Sequence, residues 1–358
     1  MMDPVHVNGK WLAQPLTGTQ RYATEMVRRL VTAGAVDLVL HVPSGADAPE
    51  WASARRVEIR RAPVGGVVFE QLYLPVVTLG RMLLNFAGPA PLLKRRQLVT
   101  MHDATAFRYP RTFRRTFVAF YLVMYLLLSR TARQLLTVSE FSADELAAVL
   151  RVDRRRFLVA PCAADGLAQI APVRPDLDIA GGQYLVVGTL ARHKNLTGAV
   201  AALTGSGRDV VVVGAAGRDQ VFSAMSDLGS AATVAGRLTD AELVWLYRNS
   251  RALVFPSRYE GFGLPVLEAQ VLGCPVVSSS AASLPEVGGS GALYFDPDDS
   301  AALLERLDEL ERDDALASDL RERGLVNAQR YSWERSAETV LTRVLGVPAA
   351  ALSAATGS

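Results

Sequence analysis

A chain of 358 residues, half of them hydrophobic, is long enough for two domains of roughly 150 to 200 residues, each with its own core. With only Cys162 and Cys274 there is neither a disulfide framework nor a cysteine metal cluster, and a reducing compartment is expected. Net charge is +2, yet residues 1–175 carry 23 Lys/Arg against 13 Asp/Glu while residues 176–358 carry 15 against 23; a basic first half suits an anionic membrane or a lipid diphosphate, and the lack of a recognisable nucleic-acid module disfavours nucleic acid.

Residues 1–6 do not place an apolar region after a basic one, so no signal peptide is expected. A short strand, Val5-His6-Val7, leads through a turn at Asn8-Gly9 to an amphipathic helix ending near Leu30, with Thr17 or Thr19 available as its cap and Gly34 beyond its end. Gly18 would let the start of that helix face a ligand in an interdomain cleft. Further strands are expected at residues 38–42, 97–100 and 134–138, with helical patterns between them. This alternation predicts a parallel, doubly wound α/β sheet whose ligands sit at the carboxyl ends of the strands. His102 and Asp103 stand at such an end; the imidazole can donate to a phosphate or sugar oxygen and the carboxylate can accept from a hydroxyl. Arg111, Arg114 and Arg115 precede a helix that is apolar nearly all round, and they suit anionic headgroups. Its apolar run, residues 117–128, falls short of the roughly 20 needed to span a bilayer and reads as a core helix in preference to an interfacial one. Ser142 with Glu145 reads as a capping box, and Ser139, directly after a strand, lies nearer the expected cleft.

Residues 166–183, with Pro172, Pro175, Gly181 and Gly182, read as the connection between domains. We place the domains at 1–170 and 171–330, followed by a helix over 331–347 and a small, polar, mobile tail over 348–358. The second half repeats the scheme, with strands expected at 184–187, 210–213, 252–255 and 275–278. After the first of these come Arg192, His193 and Lys194, cations suited to a diphosphate. The loops Gly214-Ala215-Ala216-Gly217 and Gly236-Arg237-Leu238-Thr239 suit a base held through backbone groups. The stretch Glu260-Gly261-Phe262-Gly263-Leu264-Pro265-Val266-Leu267-Glu268 then follows an apolar strand. Pro265 suits a first helical turn, and glycines that lack Cβ leave the amides and the helix start open to an anion. Two carboxylates beside a phosphate site make sense as acceptors for hydroxyls. A ligand with phosphate and many hydroxyls is a nucleotide-sugar.

These motifs, from Gly18-Thr19-Gln20-Arg21-Tyr22 through His102-Asp103-Ala104, Thr137-Val138-Ser139-Glu140, Gly188-Thr189-Leu190 with Lys194-Asn195, the Glu260 to Glu268 stretch and Tyr331-Ser332-Trp333, resemble a retaining glycosyltransferase of family 4 over nearly the whole chain. The resemblance implies the GT-B architecture, two Rossmann-like parallel-sheet domains with a cleft between them and a final helix crossing back to the first. It implies that Glu268 binds ribose hydroxyls, that Glu260 and the amides of Phe262, Gly263 and Leu264 hold the sugar and diphosphate, and that Lys194, helped by Arg192, stabilises the leaving nucleoside diphosphate. Arg237 and Leu238 would lie at the base, His102 would reach the donor from the first domain, and Gly18 would allow that domain's approach. Two departures stand out: His193 replaces the arginine that relatives often carry before the lysine, and Cys162-Ala163-Ala164-Asp165 replaces their Asn-Gly-Val-Asp.

The implied chemistry is transfer of a hexose to a hydroxyl acceptor with retention, by front-face attack, with neither an obligatory metal nor a cofactor beyond the nucleotide-sugar. The resemblance is to bacterial mannosyltransferases that use GDP-mannose and act on glycan or polyprenyl-diphosphate-linked acceptors, at a cytoplasmic location peripheral to the membrane. UDP- or dTDP-sugar donors stay open, because base contacts would be to backbone. An epimerase of the same fold or a non-catalytic binding protein fits the glutamate pair less well, and an NAD enzyme is disfavoured by the lack of a Gly-x-Gly-x-x-Gly turn.

Overall fold

The computed structural model describes residues 3–54, 56–214, 232–350 and 352. The chain divides into two compact units, Met1–Cys162 with Trp333–Ser358, and Ala163–Ser332. The boundary expected at residue 170 therefore falls earlier, so Ala163, Ala164 and Asp165 belong with the second unit.

In the first unit, β1 (Val5–Asn8), β2 (Leu38–Val42), β3 (Val57–Arg61), β4 (Leu83–Asn85), β5 (Gln97–Thr100), β6 (Gln134–Thr137) and β7 (Phe157–Val159) form one sheet in the order β3-β2-β1-β4-β5-β6-β7. Every pairing is parallel, as in β1 against β2 and β5 against β6. Strands buried on both faces are rich in apolar residues, as in the Leu38-Val39-Leu40 run of β2. The strands not foreseen are the half-exposed edge β3 and the three-residue β4 and β7.

The direction of strand addition reverses between β1 and β4. There Asn8 donates to Asn85 at 3.0 Å, both side chains buried at the carboxyl ends of their strands. Helix α1 (Gly18–Ala33) follows β1 and ends on Gly34, whose φ of 57° is left-handed. Thr17 occupies its cap position without a side-chain capping bond. Between β3 and β4 run α2 (Gly66–Val68), a π turn (Phe69–Tyr73) and α3 (Leu74–Val77), the wider turn accommodating Pro75, which has no N–H to continue the ladder. The short α4 (Thr105–Arg108) and long α5 (Arg115–Thr131) follow β5. Helix α6 (Glu140–Leu150) corrects one expectation: its cap is Ser139, which accepts from the Ser142 amide at 2.9 Å, while Glu145 pairs with Arg108 at 2.6 Å.

His6 Nδ1 and His41 Nε2 lie 2.8 Å apart inside this sheet, so one ring donates and the other accepts. Burial holds their pKa values at about 4 and about 3, reinforced by Arg60 at His6 and by His6 at His41. Unfolding returns both rings to the ordinary value of about 6.5, so the unfolded chain takes up protons that the folded one refuses. We expect melting temperature to be level above pH 7 and to fall as pH drops from about 6.5 toward 4, with His41→Gln flattening the slope.

The second unit's sheet runs β10-β9-β8-β11-β12-β13, formed by β8 (Tyr184–Val187), β9 (Val210–Val213), β10 (Ala232–Gly236), β11 (Ala252–Phe255), β12 (Val276–Ser279) and β13 (Leu293–Phe295), again all parallel. Its described helices are α7 (Leu196–Gly205), α8 (Asp240–Asn249), α9 (Leu264–Val271), α10 (Leu284–Gly288), α11 (Ser300–Arg312) and α12 (Asp314–Ala328). Val186, Val212 and Val254 from the sheet pack with Leu203, Leu307 and Leu320 from α7, α11 and α12. The reversal lies between β8 and β11, the crevice where open α/β sheets bind ligands.

The chain then rejoins the first unit. Helix α13 (Trp333–Thr339), prolonged by a π turn (Val340–Val344), packs against α1, and the Trp333 ring meets the edge of Tyr22 at 5.6 Å. Most of the expected mobile tail lies outside the described residues.

Candidate active site

The nominated residues divide between the units. In the second, two loops leave the sheet at its reversal point, one after β8 carrying Arg192, His193 and Lys194, the other after β11 carrying Glu260 to Gly263. They meet through Lys194, whose ammonium donates to both Glu260 oxygens, at 2.7 and 2.8 Å. The pair is partly buried, with side-chain exposures of 23% and 11%. Lys194 ends a single 3-10 turn, and Asn195 then adopts a left-handed φ of 54° as α7 begins. Its side chain donates to the Pro297 carbonyl at 2.7 Å in place of capping the helix. A third contact steadies the loop: the Arg258 amide donates to the His193 carbonyl at 2.7 Å, and its guanidinium donates to Asp298 at 2.7 Å.

His193 is buried, whereas Arg192 is exposed. Of the two residues before Lys194, Arg192 is thus the one whose charge lies at the surface. Arg237 is exposed and Leu238 half-buried after β10, two strands from the reversal point. Thr239 beside them makes a full capping box with Glu242, a fold-holding role the loop reading did not include. Gly214 is so close to the Gly188 carbonyl that a Cβ would stand 2.3 Å from its oxygen; residues 215–217 of that loop lie outside the described residues.

Helix α9 begins at Leu264 with Pro265, which carries no N–H, in its first turn, and the Val266 amide donates to the Gly263 carbonyl at 3.0 Å, so the Leu264 amide is the donor the helix start presents. Gly263 caps it at φ 97°, and a Cβ there would stand 2.4 Å from Cδ2 of the buried Leu284. Only glycine satisfies both constraints. Gly263→Ala adds about 1–2 kcal/mol of left-handed strain and about 1–3 kcal/mol of overpacking, so calorimetry should show a melting temperature lowered by several degrees. Phe262 is buried edge-on against Tyr331, ring centroids 5.5 Å apart. Ser283, not foreseen, directs its hydroxyl to the Glu260 and Phe262 carbonyls at 3.0 and 2.9 Å and so shapes the loop. Its signal was the Ser-Leu-Pro-Glu start of α10. Glu268, in the first turns of α9, is buried and accepts from the Tyr247 hydroxyl at 2.9 Å. Tyr247 was also missed, because it reaches Glu268 from α8, twenty-one positions earlier in the chain.

In the first unit, Gly18 is the first residue of α1, and a Cβ there would meet nothing within 4 Å. Nothing in its own unit demands glycine. His102 Nε2 faces the Phe86 carbonyl at 3.0 Å. A carbonyl only accepts, so Nε2 carries the proton. Burial lowers the ring's pKa, against the Phe86 bond and Asp103, which raise it. The neutral ring therefore offers Nδ1 as an acceptor, which corrects the expectation that His102 donates: Nδ1 suits a sugar hydroxyl better than a bare phosphate oxygen. Tyr22 meets the imidazole edge-on at 5.0 Å, and with Trp333 behind it the last helix helps fix the ring. Asp103 accepts from the amide of Thr105, the first residue of α4, at 2.7 Å, so one of its oxygens is engaged in the fold. Arg111, Arg114 and Arg115 are exposed. The following helix α5 is not wholly core: Val118, Met124, Tyr125 and Leu128 are buried, but Phe120, Val123 and Leu127 are about half exposed. No described helix is long and apolar enough to cross a membrane.

This arrangement can bind an anion beside Lys194, hydroxyls at Glu268 and, in the first unit, a hydroxyl at His102. The family model "Glycosyl transferases group 1" matches residues 178–326, within the second unit. O-antigen chain mannosyltransferase B of Escherichia coli is 30% identical over 361 residues, covering 89% of this chain and 93% of that protein. O-antigen chain mannosyltransferase RfbU of Salmonella typhimurium is 30% identical over 216 residues, covering 58% of this chain and 59% of that one. Among solved structures, sucrose-phosphate synthase of Thermosynechococcus elongatus aligns with a TM-score of 0.73 at 19% identity, over 96% of this chain and 99% of that one, a likeness of fold. The matched domain, the relative aligned over nearly its whole length and the paired Rossmann-like sheets place this chain in the group 1 glycosyltransferases, with the GT-B fold.

Proposed function

We propose that this glycosyltransferase is a retaining enzyme of family 4 that moves mannose from GDP-mannose to a hydroxyl of a glycan or polyprenyl-diphosphate-linked acceptor. The observation that carries the reading is the two-point contact of Lys194 with Glu260 beside the start of α9. It poises a cation and a carboxylate beside a helix start, where a sugar diphosphate needs charge and hydroxyl acceptors together. Mannose is favoured by the Escherichia coli relative, named as an O-antigen chain mannosyltransferase.

In this mechanism the bond from the anomeric carbon to the β-phosphate oxygen breaks while the acceptor oxygen bonds on the same face. The acceptor proton passes to the departing phosphate oxygen. Lys194, with Arg192 and the start of α9, stabilises the charge that grows there; Glu260 orients the sugar and Glu268 the ribose, with Arg237 and Leu238 at the base. His102 Nδ1 accepts from a sugar hydroxyl. The work is electrostatic and positional, so chelators should leave the rate within about twofold. At the entry to α5, Arg111, Arg114 and Arg115, followed by Phe120 and Val123 on the helix, would meet anionic headgroups, seating the enzyme peripherally on the inner face of the cytoplasmic membrane.

A thermal-shift panel of GDP, UDP, ADP and dTDP with their sugars tests the donor, since a ligand that binds only the folded state raises its melting temperature. The largest shift is expected with GDP and GDP-mannose. A UDP preference refutes the donor assignment, and a β-linked product seen by NMR from the α-linked donor refutes retention.

A further inference from the structure

The segment from Gly66 to Leu79 is apolar on both its sides. Its inner face holds Phe69, Glu70, Leu74 and Thr78, all buried, with the Glu70 carboxylate paired to the Lys10 ammonium at 2.7 Å. On the opposite side Val68, Leu72, Val76 and Leu79, at helical spacing, are 48%, 63%, 74% and 83% exposed. No charged residue occurs between Glu70 and Arg81. A helix at a water-facing surface ordinarily keeps a polar side outward.

Leu93, 88% exposed, extends the patch. The Leu92 amide donates to Gln71 and the Lys94 ammonium to the Thr78 carbonyl, which pins residues 92–94 along the same segment. Cations edge it: the Arg96 guanidinium donates to the Gly80 carbonyl at 2.9 Å, Arg95 is exposed, and Arg81 pairs with Asp3.

Composition separates the candidate occupants. Protein interfaces draw their binding energy mainly from Trp, Tyr and Arg, and under-use Leu and Val. A row of aliphatic side chains with no hydrogen-bonding group, bordered by guanidiniums in a half-chain with a surplus of cations, matches acyl chains below and phosphate headgroups above. We infer that Val68, Leu72, Val76, Leu79 and Leu93, with Arg95 and Arg96 at their edge, form a docking surface for an anionic bilayer. This surface is separate from the α5 contact and rests on the proposed function only in placing the enzyme at a membrane.

The test is flotation of the full chain with vesicles of phosphatidylethanolamine and phosphatidylglycerol, with phosphatidylcholine vesicles as the neutral comparison. Wild type should float with the anionic vesicles. The variant Leu72→Ser, Val76→Ser, Leu79→Ser should float at least about fivefold less, while its melting temperature and its response to GDP stay unchanged because the replaced groups are exposed. Arg95→Glu with Arg96→Glu should lose flotation at low salt, and wild-type binding should weaken as salt rises. If the triple variant floats like wild type while Phe120→Ser with Val123→Ser does not, the contact lies on α5 alone; this inference falls and the membrane assignment stands. No flotation of wild type overturns both. A wild-type dimer that the triple variant converts to monomer, without flotation, would give the face to a second copy of the chain.

Discussion

Replacing Lys194 by alanine should lower turnover by about 10²–10³-fold, the loss found when one donor to a developing oxyanion is removed. Lys194 is the cation that reaches Glu260 from the neighbouring loop, and its ammonium has a third proton beyond the two given to the carboxylate. In the transition state the departing diphosphate gains charge, and an ammonium beside it is worth more there than in the ground state. The loss should therefore fall mainly on kcat, with KM for the donor changed much less. Lys194→Arg should recover part of the rate, since it keeps the charge while replacing a compact ammonium with a planar fork. A purely structural role would show differently: the Glu260 carboxylate, 11% exposed and deprived of its partner, would lower the melting temperature and raise KM while kcat stayed near wild type. Steady-state kinetics beside a thermal melt separates the two, and an alanine variant with wild-type kcat removes Lys194 from the chemistry.

Replacing Glu268 by alanine should raise KM for the donor by about 10- to 100-fold, since a hydrogen bond to a charged group contributes about 1.5–3 kcal/mol. Glu268 is buried, so little solvent screening reduces that figure. One of its oxygens accepts from Tyr247, which holds the carboxylate in place at the start of α9. Glu268→Gln should cost less, because the amide oxygen still accepts while its NH₂ faces a donor. Tyr247→Phe offers an internal check: it removes the positioning bond while leaving the carboxylate, so KM should rise modestly and kcat stay constant. Isothermal titration with GDP should follow the same order. Unchanged GDP affinity in Glu268→Ala would move the ribose elsewhere.

Much of the architecture was legible in sequence for a plain reason. Parallel strands buried on both faces are short apolar runs, and β8, β9 and β11 fall where such runs stand. Strands that break this rule went unseen, among them the half-polar edge β3 and the three-residue β4. Helix α6 shows a limit of local signals. Ser142 and Glu145 have capping-box spacing, but Ser139 has the extended backbone of a cap and takes the Ser142 amide, while Glu145 answers Arg108 from before α5. At the site, Lys194, Glu260 and Glu268 were legible because glycines, a proline and charged residues cluster where a strand ends. Tyr247 and Ser283 were not, since an ordinary helical tyrosine and a serine before a short helix acquire their roles only from neighbours far along the chain.

The sequence by itself determined the two parallel sheets, the loops that carry charge, and the identity of the groups that can meet a sugar diphosphate, because apolar periodicity and glycine chemistry act over a few residues. The tertiary structure decided what those groups are to one another. It joined Lys194 to Glu260 across the strand reversal, set Tyr247 behind Glu268, and turned the Nε2–H of His102 toward Phe86 so that the ring accepts where a donor was expected. It also turned the aliphatic side of residues 66–79 outward, which a pattern apolar on both sides cannot specify. Each outcome depends on the order of strands in a sheet, and that order is set by packing over the whole unit, beyond the range of any local signal.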